Sequence, residues 1–216
     1  MSKVIYETSM SLDGLTTGPN PRHEEPLGDG GERLHEWVFG LATWRESHGM
    51  SGGETGPDND LVAETVASTG AVIMGRRMFS GGQGSWEDDE NADGWWGDEP
   101  PFHVPVFILT HHAREPVEKR GGTTFRFVTD GIESALEQAR DAAGELNVGI
   151  SGGASVGGQY LRAGLLDEVL VHVAPVVLGD GVRIFGGPLG DEPPGLEPVQ
   201  ATSSHAVTHL RYRVVS

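Results

Sequence analysis

Short apolar segments that have the composition of β-strands alternate along this chain with amphipathic segments that have the spacing of α-helices. Val4 to Ser9, Ala71 to Met74 and Pro105 to Thr110 are predicted strands, and Ile132 to Ala143 and Ala154 to Ala163 are predicted helices. Continuous apolar runs such as the second and third strands fit strands that are buried on both faces. The repeated strand–helix–strand order therefore predicts an α/β fold with a mostly parallel, twisted sheet and helices on both faces.

Two further helices and several strands complete the predicted order. Apolar residues at helical spacing predict an amphipathic helix over Glu32 to Glu46, with Trp37 and Trp44 on its buried face. Another helix is predicted over Leu61 to Ser68. The residues expected to bound it are Asp58 or Asn59 as its cap and Gly70 at its end. The other predicted strands are Thr123 to Thr129, Asn147 to Ser151, Val169 to Val177 and a final antiparallel arm from Thr202 to Val215.

The charge and composition of the chain restrict its partners and its chemistry. Its 216 residues carry a net charge of −17 at pH 7, which repels phosphate backbones and anionic lipids, so we expect neither nucleic acid nor membrane as a partner. The length fits a single domain over residues 1–216. The lack of cysteine removes thiolate catalysis and Cys-based metal sites. No apolar targeting segment precedes the strand that starts at Val4, which predicts a cytoplasmic protein.

Two adjacent arginines follow the strand that ends at Met74. Gly75, Arg76 and Arg77 would lie at the carboxyl end of that strand, where open α/β sheets bind ligands. A guanidinium group can make two hydrogen bonds to a phosphate, so the pair is suited to an adenosine 2′-phosphate. The alternative is a structural pair that offsets neighbouring carboxylates. The residues alone leave both interpretations open.

The segment Gly152-Gly153-Ala154-Ser155-Val156 joins a predicted strand to a predicted helix. Glycines let a backbone approach a pyrophosphate closely, and the first turn of a helix offers N–H groups and partial positive charge. Gly157 and Gly158 continue inside the helix, where each costs about 1 kcal/mol relative to Ala, which indicates a close approach by another group. The spacing differs from the G-x-G-x-x-G of the Rossmann fold, and a plain tight turn is the alternative.

Polar residues follow two more of the predicted strands. Thr110 and His111 offer a hydroxyl and an imidazole that can hydrogen-bond a phosphate or an adenine, and a polar loop start is the alternative. Asp13 lies in the turn after the first strand. It is a candidate for proton transfer, although turn aspartates more often cap their own backbone.

The acidic, glycine-rich segment over residues 80–103 is predicted to be a long loop. The tryptophans that either line a substrate pocket or anchor this loop are Trp86, Trp95 and Trp96. Asp89 to Gly94 matches the start of a calcium loop, but the twelfth position, which requires a bidentate Glu, is Pro100. His205 and His209 lie in a strand-like tail and lack the intervening glutamate of a zinc-binding helix. We therefore expect no metal ion.

Taken in order, these segments resemble the dihydrofolate reductase-like proteins related to the C-terminal reductase domain of bifunctional riboflavin-biosynthesis enzymes. The matching segments cover nearly the whole chain, and their order is more specific than any one of them. They are Ser11 to Gly14, Val72 to Phe79, Val106 to His111, Gly152 to Ala154, Ala163 to Glu168 and Ala174 to Phe185.

The resemblance implies a dihydrofolate reductase-like three-layer fold, with a sheet of about eight strands and antiparallel C-terminal strands. It also implies a homodimer that binds NADPH across the strand ends. The residues implied to hold the cofactor, from the 2′-phosphate through the ribose and pyrophosphate to the nicotinamide, are Gly75, Arg76, Arg77, Thr110, His111, Gly152, Gly153, Ala154, Ser155, Val156 and Thr16. The loop from Asp13 through Thr16 would lie near the nicotinamide, which makes Asp13 the candidate catalytic residue.

Three functions follow as hypotheses. The first is an NADPH-dependent reductase of a small molecule, with pteridine-like and pyrimidine-like rings as candidates, in which the cofactor supplies the hydride. The second is a catalytically silent nucleotide-binding or dimeric scaffold. It is motivated by two departures from the family: Met78 stands where Thr is usual, and Ser151 stands where riboflavin-pathway reductases carry Glu. The third is a ligand-binding protein that uses the tryptophan-rich loop and no dinucleotide.

Overall fold

The computed structural model describes residues 2–22, 24–82, 84–190 and 193–215. The strands of these segments, in chain order, are β1 (Val4–Met10), β2 (Leu15–Thr17), β3 (Thr69–Gly75), β4 (Pro105–Leu109), β5 (Val117–Glu118), β6 (Thr124–Val128), β7 (Asn147–Gly152), β8 (Glu168–Val173), β9 (Val182–Arg183), β10 (Gly195–Ser203) and β11 (Thr208–Val215). The helices are α1 (Glu36–Phe39), α2 (Ala42–Ser47), α3 (Pro57–Ser68), α4 (Arg76–Ser80), α5 (Ile132–Ala143) and α6 (Ala154–Arg162).

Nine of the described strands form one sheet in the order β10-β11-β8-β1-β7-β3-β4-β6-β5, and β2 pairs with β9 in a small second sheet. The six strands from β8 to β6 run parallel, whereas β10, β11 and β5 pair antiparallel with their neighbours. The predicted α/β fold with antiparallel C-terminal strands is therefore confirmed. The sheet has nine strands instead of about eight, and its edge strand β5 is only two residues long.

Alternation along the strands divides the core into layers. Ala71 and Ile73 of β3 pack into the layer that contains α5 and α6, whereas Val72 and Met74 pack on the opposite face, with Phe79 of α4. Burial on both faces explains why β3 is apolar without a polar alternation. Within the described ranges, no helix combines the length and apolar character needed to span a bilayer.

The structure does not contain the single continuous helix that was predicted over Glu32 to Glu46. A 3-10 turn and the short helices α1 and α2 replace it, and the break falls at Gly40 and Leu41. The backbone N–H of Glu54 donates to the Gly40 carbonyl, and the N–H of Ala42 donates to the Glu54 carbonyl. These two hydrogen bonds to Glu54 use the Gly40 carbonyl and the Ala42 N–H, which a continuous helix would need for its own backbone hydrogen bonds.

The expected burial of two tryptophans and the limits of three elements also need correction. Trp37 and Trp44 are half-buried, so neither is a core residue.

Helix α3 starts at Pro57 after Gly56, so Asp58 and Asn59 lie inside its first turn and do not cap it. Their side chains serve other contacts, to a histidine of β11 and to the N–H of Thr43. The same helix ends at Ser68, so Gly70 belongs to β3, and β8 ends at Val173, short of residue 177.

Candidate cofactor and substrate site

The predicted ligand-binding loops meet along one edge of the sheet. Strands β1, β7, β3 and β4 are neighbours in that order and run parallel, so their carboxyl ends lie side by side. The segments that follow them begin at Ser11, Gly153, Arg76 and Thr110. The structure thus brings the four segments together at the edge where open α/β sheets bind ligands.

The glycines between β7 and α6 form an open backbone cradle. Gly152 has a φ of 125°, which residues with a side chain rarely adopt. A Cβ built on Gly153 would meet no heavy atom of the described residues within 4 Å. The first N–H groups of a helix lack partners inside it, so Ala154 and Ser155 carry donors and partial positive charge at this end of α6, where the backbone of Gly186 also packs against Ser155. The cradle has the properties that bind a phosphate.

Three other glycines permit close packing around the cradle. A Cβ on Gly75 would lie 3.0 Å from Cγ2 of Val156, so this glycine lets α6 begin close to β3. A Cβ on Gly157 would lie 2.5 Å from the Tyr6 ring, and one on Gly158 would overlap the carbonyl oxygen of Phe185. The close approach predicted for the last two glycines is therefore made by the protein itself. Their role is packing.

Arg76 is buried at the start of α4, where its guanidinium group pairs with the carboxylate of Asp89. Its Nε donates to Oγ of Ser80 at 3.1 Å, and its Cζ lies 3.3 Å from the ring centroid of Trp86. Burial lowers the pKa of Arg76, and the charge of Asp89 opposes that shift. These contacts fit the structural interpretation of this arginine. Its contact with a 2′-phosphate stays a prediction.

Arg77 follows at the same strand end and has an exposed side chain. Met78 comes next, and its sulfur would lie 3.4 Å from a Cβ on Gly152. The thioether therefore packs against the end of β7 in place of the hydroxyl usual in the family. Of the two arginines, Arg77 is the one that a ligand in solvent can reach.

Thr110 and Thr16 are both buried, and their hydroxyls are engaged in local hydrogen bonds. Oγ1 of Thr110 accepts from the N–H of His112, and Oγ1 of Thr16 donates to the carbonyl of Val182. His111 is exposed beside Thr110. The two threonines hold the shape of the strand ends, and His111 offers the accessible polar group.

Asp13 anchors the loop after β1 to the segment after β8. Its carboxylate accepts from the N–H of Leu178 at 3.2 Å and of Gly179 at 2.7 Å. Hydrogen bonds from Ser11 and then from these two N–H groups lower its pKa to about 2. A carboxylate held in its ionised form is a weak proton donor near neutral pH. The geometry therefore favours the capping role, and catalysis by Asp13 stays a prediction.

The tryptophans of the acidic loop contact the body of the protein. Nε1 of Trp86 donates to the His112 carbonyl, and Nε1 of Trp95 donates to the Met78 carbonyl. Trp96 packs edge-on against Phe102, with ring centroids 4.8 Å apart. These contacts are those expected of a loop anchor.

A chain of four hydrogen-bonded titratable side chains was not predicted from the sequence. Nε2 of His172 lies 2.9 Å from Oε1 of Glu7, and Nδ1 of His172 lies 2.8 Å from Nδ1 of His209. Nε2 of His209 lies 3.2 Å from Oδ1 of Asp58. The available signal was His172 itself, a lone imidazole in the otherwise apolar centre of β8, because a buried polar group needs a partner.

The indole of Trp37 covers this chain. Its ring centroid lies 4.8 Å from that of His172 and 5.1 Å from that of His209, and its Nε1 donates to Oγ of Ser9 at 3.2 Å. Every ring nitrogen of the two histidines has a hydrogen-bond partner. No three His, Asp or Glu side chains in the described ranges are placed to hold a metal ion.

Comparison with known proteins identifies the family. The family model described as the RibD C-terminal domain matches residues 2–210. The chain belongs to the RibD C-terminal domain family. This confirms the resemblance drawn from the sequence, and membership supports an oxidoreductase. No curated protein sequence matches the chain significantly.

Solved structures share the fold of this RibD-type domain at low sequence identity. A putative riboflavin biosynthesis protein from a Shewanella species is 18% identical, with a TM-score of 0.64 and 99% of each chain covered. RibD from Acinetobacter baumannii is 18% identical, with a TM-score of 0.61, and the match covers all of this chain and 59% of that one. A deaminase/reductase from Thermotoga maritima is 16% identical, with a TM-score of 0.57 and coverage of 99% and 56%. The chain therefore spans a little more than half of these two longer proteins.

Proposed function

We propose that this RibD-type domain is an NADPH-dependent reductase of a small substrate with a pyrimidine-like ring. The observation that carries the proposal is the open cradle at the start of α6, which lies beside the ends of β3 and β1 in a member of a reductase family. The Thermotoga maritima relative is named as a 5-amino-6-(5-phosphoribosylamino)uracil reductase, which motivates the ring type.

The residues of the cradle fit a dinucleotide. Gly152 and Gly153 allow the backbone to approach a pyrophosphate, and the N–H groups of Ala154 and Ser155 can donate to it. At the next strand end, the exposed Arg77 is suited to a 2′-phosphate. When bound, the nicotinamide supplies the hydride, and the protein binds, orients and excludes water.

A titration of the purified protein with NADPH and NADH, followed by calorimetry, tests the cofactor. We expect NADPH to bind at least about tenfold more tightly than NADH, because a charge-assisted phosphate contact contributes about 1.4 kcal/mol or more. Arg77→Ala should remove most of that preference and leave NADH binding unchanged. Arg120→Ala is the matched control, since Arg120 pairs with Asp98 at the surface. Failure of the wild-type protein to bind either nucleotide would contradict the proposal.

Oxidation of NADPH in the presence of 5-amino-6-(5-phosphoribosylamino)uracil, followed by the absorbance of the reduced nicotinamide, tests the reaction. The scaffold hypothesis predicts tight NADPH binding without oxidation by this or any related uracil. Ser151 is the observation that favours that hypothesis, since it leaves β7 without a carboxylate before the Gly-Gly pair. The homodimer expected from the family is a separate prediction, which sedimentation of the whole chain would test.

A further inference from the structure

The chain Glu7–His172–His209–Asp58 connects four separate elements of the fold. Glu7 lies on β1, His172 on β8, His209 on β11 and Asp58 in the first turn of α3. All three contacts fall within hydrogen-bond distance, between 2.8 and 3.2 Å. Both imidazoles are almost completely buried, at 4% and 1% exposure. Water therefore does not satisfy their ring nitrogens, and the four groups must satisfy one another.

A count of protons follows from these contacts. Each of the three hydrogen bonds requires one proton between its two heavy atoms. Two neutral imidazoles supply two N–H groups, and two ionised carboxylates supply none. The geometry therefore requires a third proton. Because His172 and His209 face each other through their Nδ1 atoms, one of these atoms must donate while the other accepts.

The surroundings indicate where the third proton lies. Burial lowers the pKa of His209, and the charge of His172 lowers it further. The nearby His35 has its pKa lowered to about 4 by burial and then by His172. A neutral His209 donates from Nε2 to Asp58 and accepts at Nδ1. The third proton is then held between His172 and Glu7.

Other charged groups near the chain are already paired or lie further along the same elements. Arg211 of β11 bonds to Glu168 of β8 at 3.4 Å and reaches Glu64 of α3 at 3.6 Å. Lys3 at the start of β1 also pairs with Glu168. The hydrogen-bonded series itself consists of Glu7, His172, His209 and Asp58. The other charged or titratable groups near it on the packed elements are His35, Glu64, Glu168 and Arg211.

Glu7 is the more solvent-exposed end of this hydrogen-bonded series. Its side chain is 28% exposed, against 13% for Asp58 at the other end. Tyr6 pairs with Ile150 near the end of β7, so Glu7, the next residue of β1, lies close to the point where β7 ends. Ser151 immediately precedes Gly152 of the phosphate cradle. An accessible carboxyl that shares a proton with a buried imidazole thus lies next to the strand end proposed to bind the cofactor.

We propose that Glu7 is the catalytic acid of this reductase, and that His172, His209 and Asp58 are positioning residues that keep its proton in place. The proposal rests on the reductase function proposed above. Reduction of a C=N or C=O bond needs a hydride at carbon and a proton at nitrogen or oxygen. The hydride pair forms the new C–H bond, and the π electrons move to the heteroatom. That atom takes the proton from the Glu7–His172 pair, which regains one from solvent through Glu7.

The proton proposed to lie between His172 and Glu7 is tested without any substrate, by NMR of the isotope-labelled protein. At about pH 7.5, one unit above the ordinary histidine pKa, we expect either His172 with both ring nitrogens protonated or Glu7 with a protonated carboxyl. Glu7→Gln should remove the shared proton from the contact with Nε2 of His172, seen as a change in that ring's nitrogen signals, because the carboxylate partner is lost. His205→Gln, at an exposed histidine, is the assignment control. An ionised Glu7 beside two neutral imidazoles in the wild-type protein would overturn the proposal.

The catalytic role is tested by turnover of 5-amino-6-(5-phosphoribosylamino)uracil in Glu7→Gln and His209→Gln. Glu7→Gln should leave the Kd for NADPH within about twofold and reduce kcat about 100-fold or more, as expected for loss of a general acid. His209→Gln should shift the pH profile of kcat and retain part of the activity. A Glu7→Gln enzyme with wild-type kcat and pH profile would overturn the proposal. A wild-type protein that fails to bind NADPH would instead contradict the proposed function, and the NMR result would stand apart from that failure.

Discussion

The guanidinium group of Arg76 and the carboxylate of Asp89 form an ion pair inside the protein, with side chains only 7% and 6% exposed. The two residues come from different segments, α4 and the acidic loop, so the pair fastens that loop to the end of β3. The Cζ atom of Arg76 lies 3.3 Å from the ring centroid of Trp86, and this ring shields the ion pair from water. Arg76, which was predicted to bind a ligand phosphate, thus forms an ion pair with a carboxylate of the protein itself.

Arg76→Ala should lower the free energy of unfolding by about 3–5 kcal/mol, because it leaves the Asp89 carboxylate buried without a partner. Urea denaturation measures the change. Arg120→Ala provides the comparison, since Arg120 and Asp98 are 73% and 85% exposed and their loss should cost less than about 1 kcal/mol. Equal effects of the two substitutions would contradict a structural role for Arg76. Arg76→Met with Asp89→Leu should recover much of the stability.

Alanine at Gly153 of the cradle and at Gly158 of α6 should separate ligand binding from packing. Gly153→Ala places a methyl group in open space at a φ of −69°, so unfolding should change by less than about 0.5 kcal/mol while NADPH affinity falls. Gly158→Ala forces its methyl group into the Phe185 carbonyl and should cost about 1–3 kcal/mol or more. Thermal unfolding and nucleotide titration of both variants decide the matter. Unchanged NADPH binding by Gly153→Ala would argue against a phosphate at this position.

His35 predicts a loss of stability in mild acid. Its pKa is lowered to about 4, so the folded protein favours the neutral ring more than the unfolded chain does. Stability should therefore decline as pH falls from about 6.5 toward 4, by at most about 3 kcal/mol. Urea unfolding across this range should show a shallower decline in His35→Leu than in the wild type. His205→Leu, at an exposed position, should keep the wild-type slope.

Asp13 should contribute stability only where its carboxylate is ionised. Its pKa in the folded protein is about 2, below the ordinary value of 3.8, so the contribution is present above pH 4 and disappears as pH falls through 2. Asp13→Asn should lower the Tm at pH 7, and the difference from wild type should shrink toward pH 2. Scanning calorimetry at several pH values measures this. An unchanged Tm together with lost NADPH oxidation would favour the catalytic role instead.

Much of the fold could be predicted because the relevant signals are local. Helix α5 spans Ile132–Ala143 as expected, since its apolar residues recur at helical spacing between Gly131 and Gly144. The strands β3 and β4 were recognisable as apolar runs, and their parallel order placed the ligand-binding loops at one edge. The ordered family segments added the RibD-type fold.

The site was predictable only in part, for a physical reason. The Gly152–Val156 turn could be recognised because backbone freedom and a helix start are encoded in adjacent residues. The partner of Arg76 could not, because the segment that contains Asp89 has no period and its position depends on tertiary packing. Likewise, His172 could be singled out as a polar residue in an apolar strand, but its partners come from β1, β11 and α3.

The sequence by itself determined the strand and helix periods, the glycine-rich strand end and the acidic charge, since each depends on neighbouring residues. Only the tertiary structure decided that Glu54 interrupts the first helix, that Asp89 forms an ion pair with Arg76, and that Glu7, His172, His209 and Asp58 lie within hydrogen-bond distance of one another in series. The strength and protonation of such groups depend on burial and on partners distant in sequence. Those properties arise only when the chain has folded.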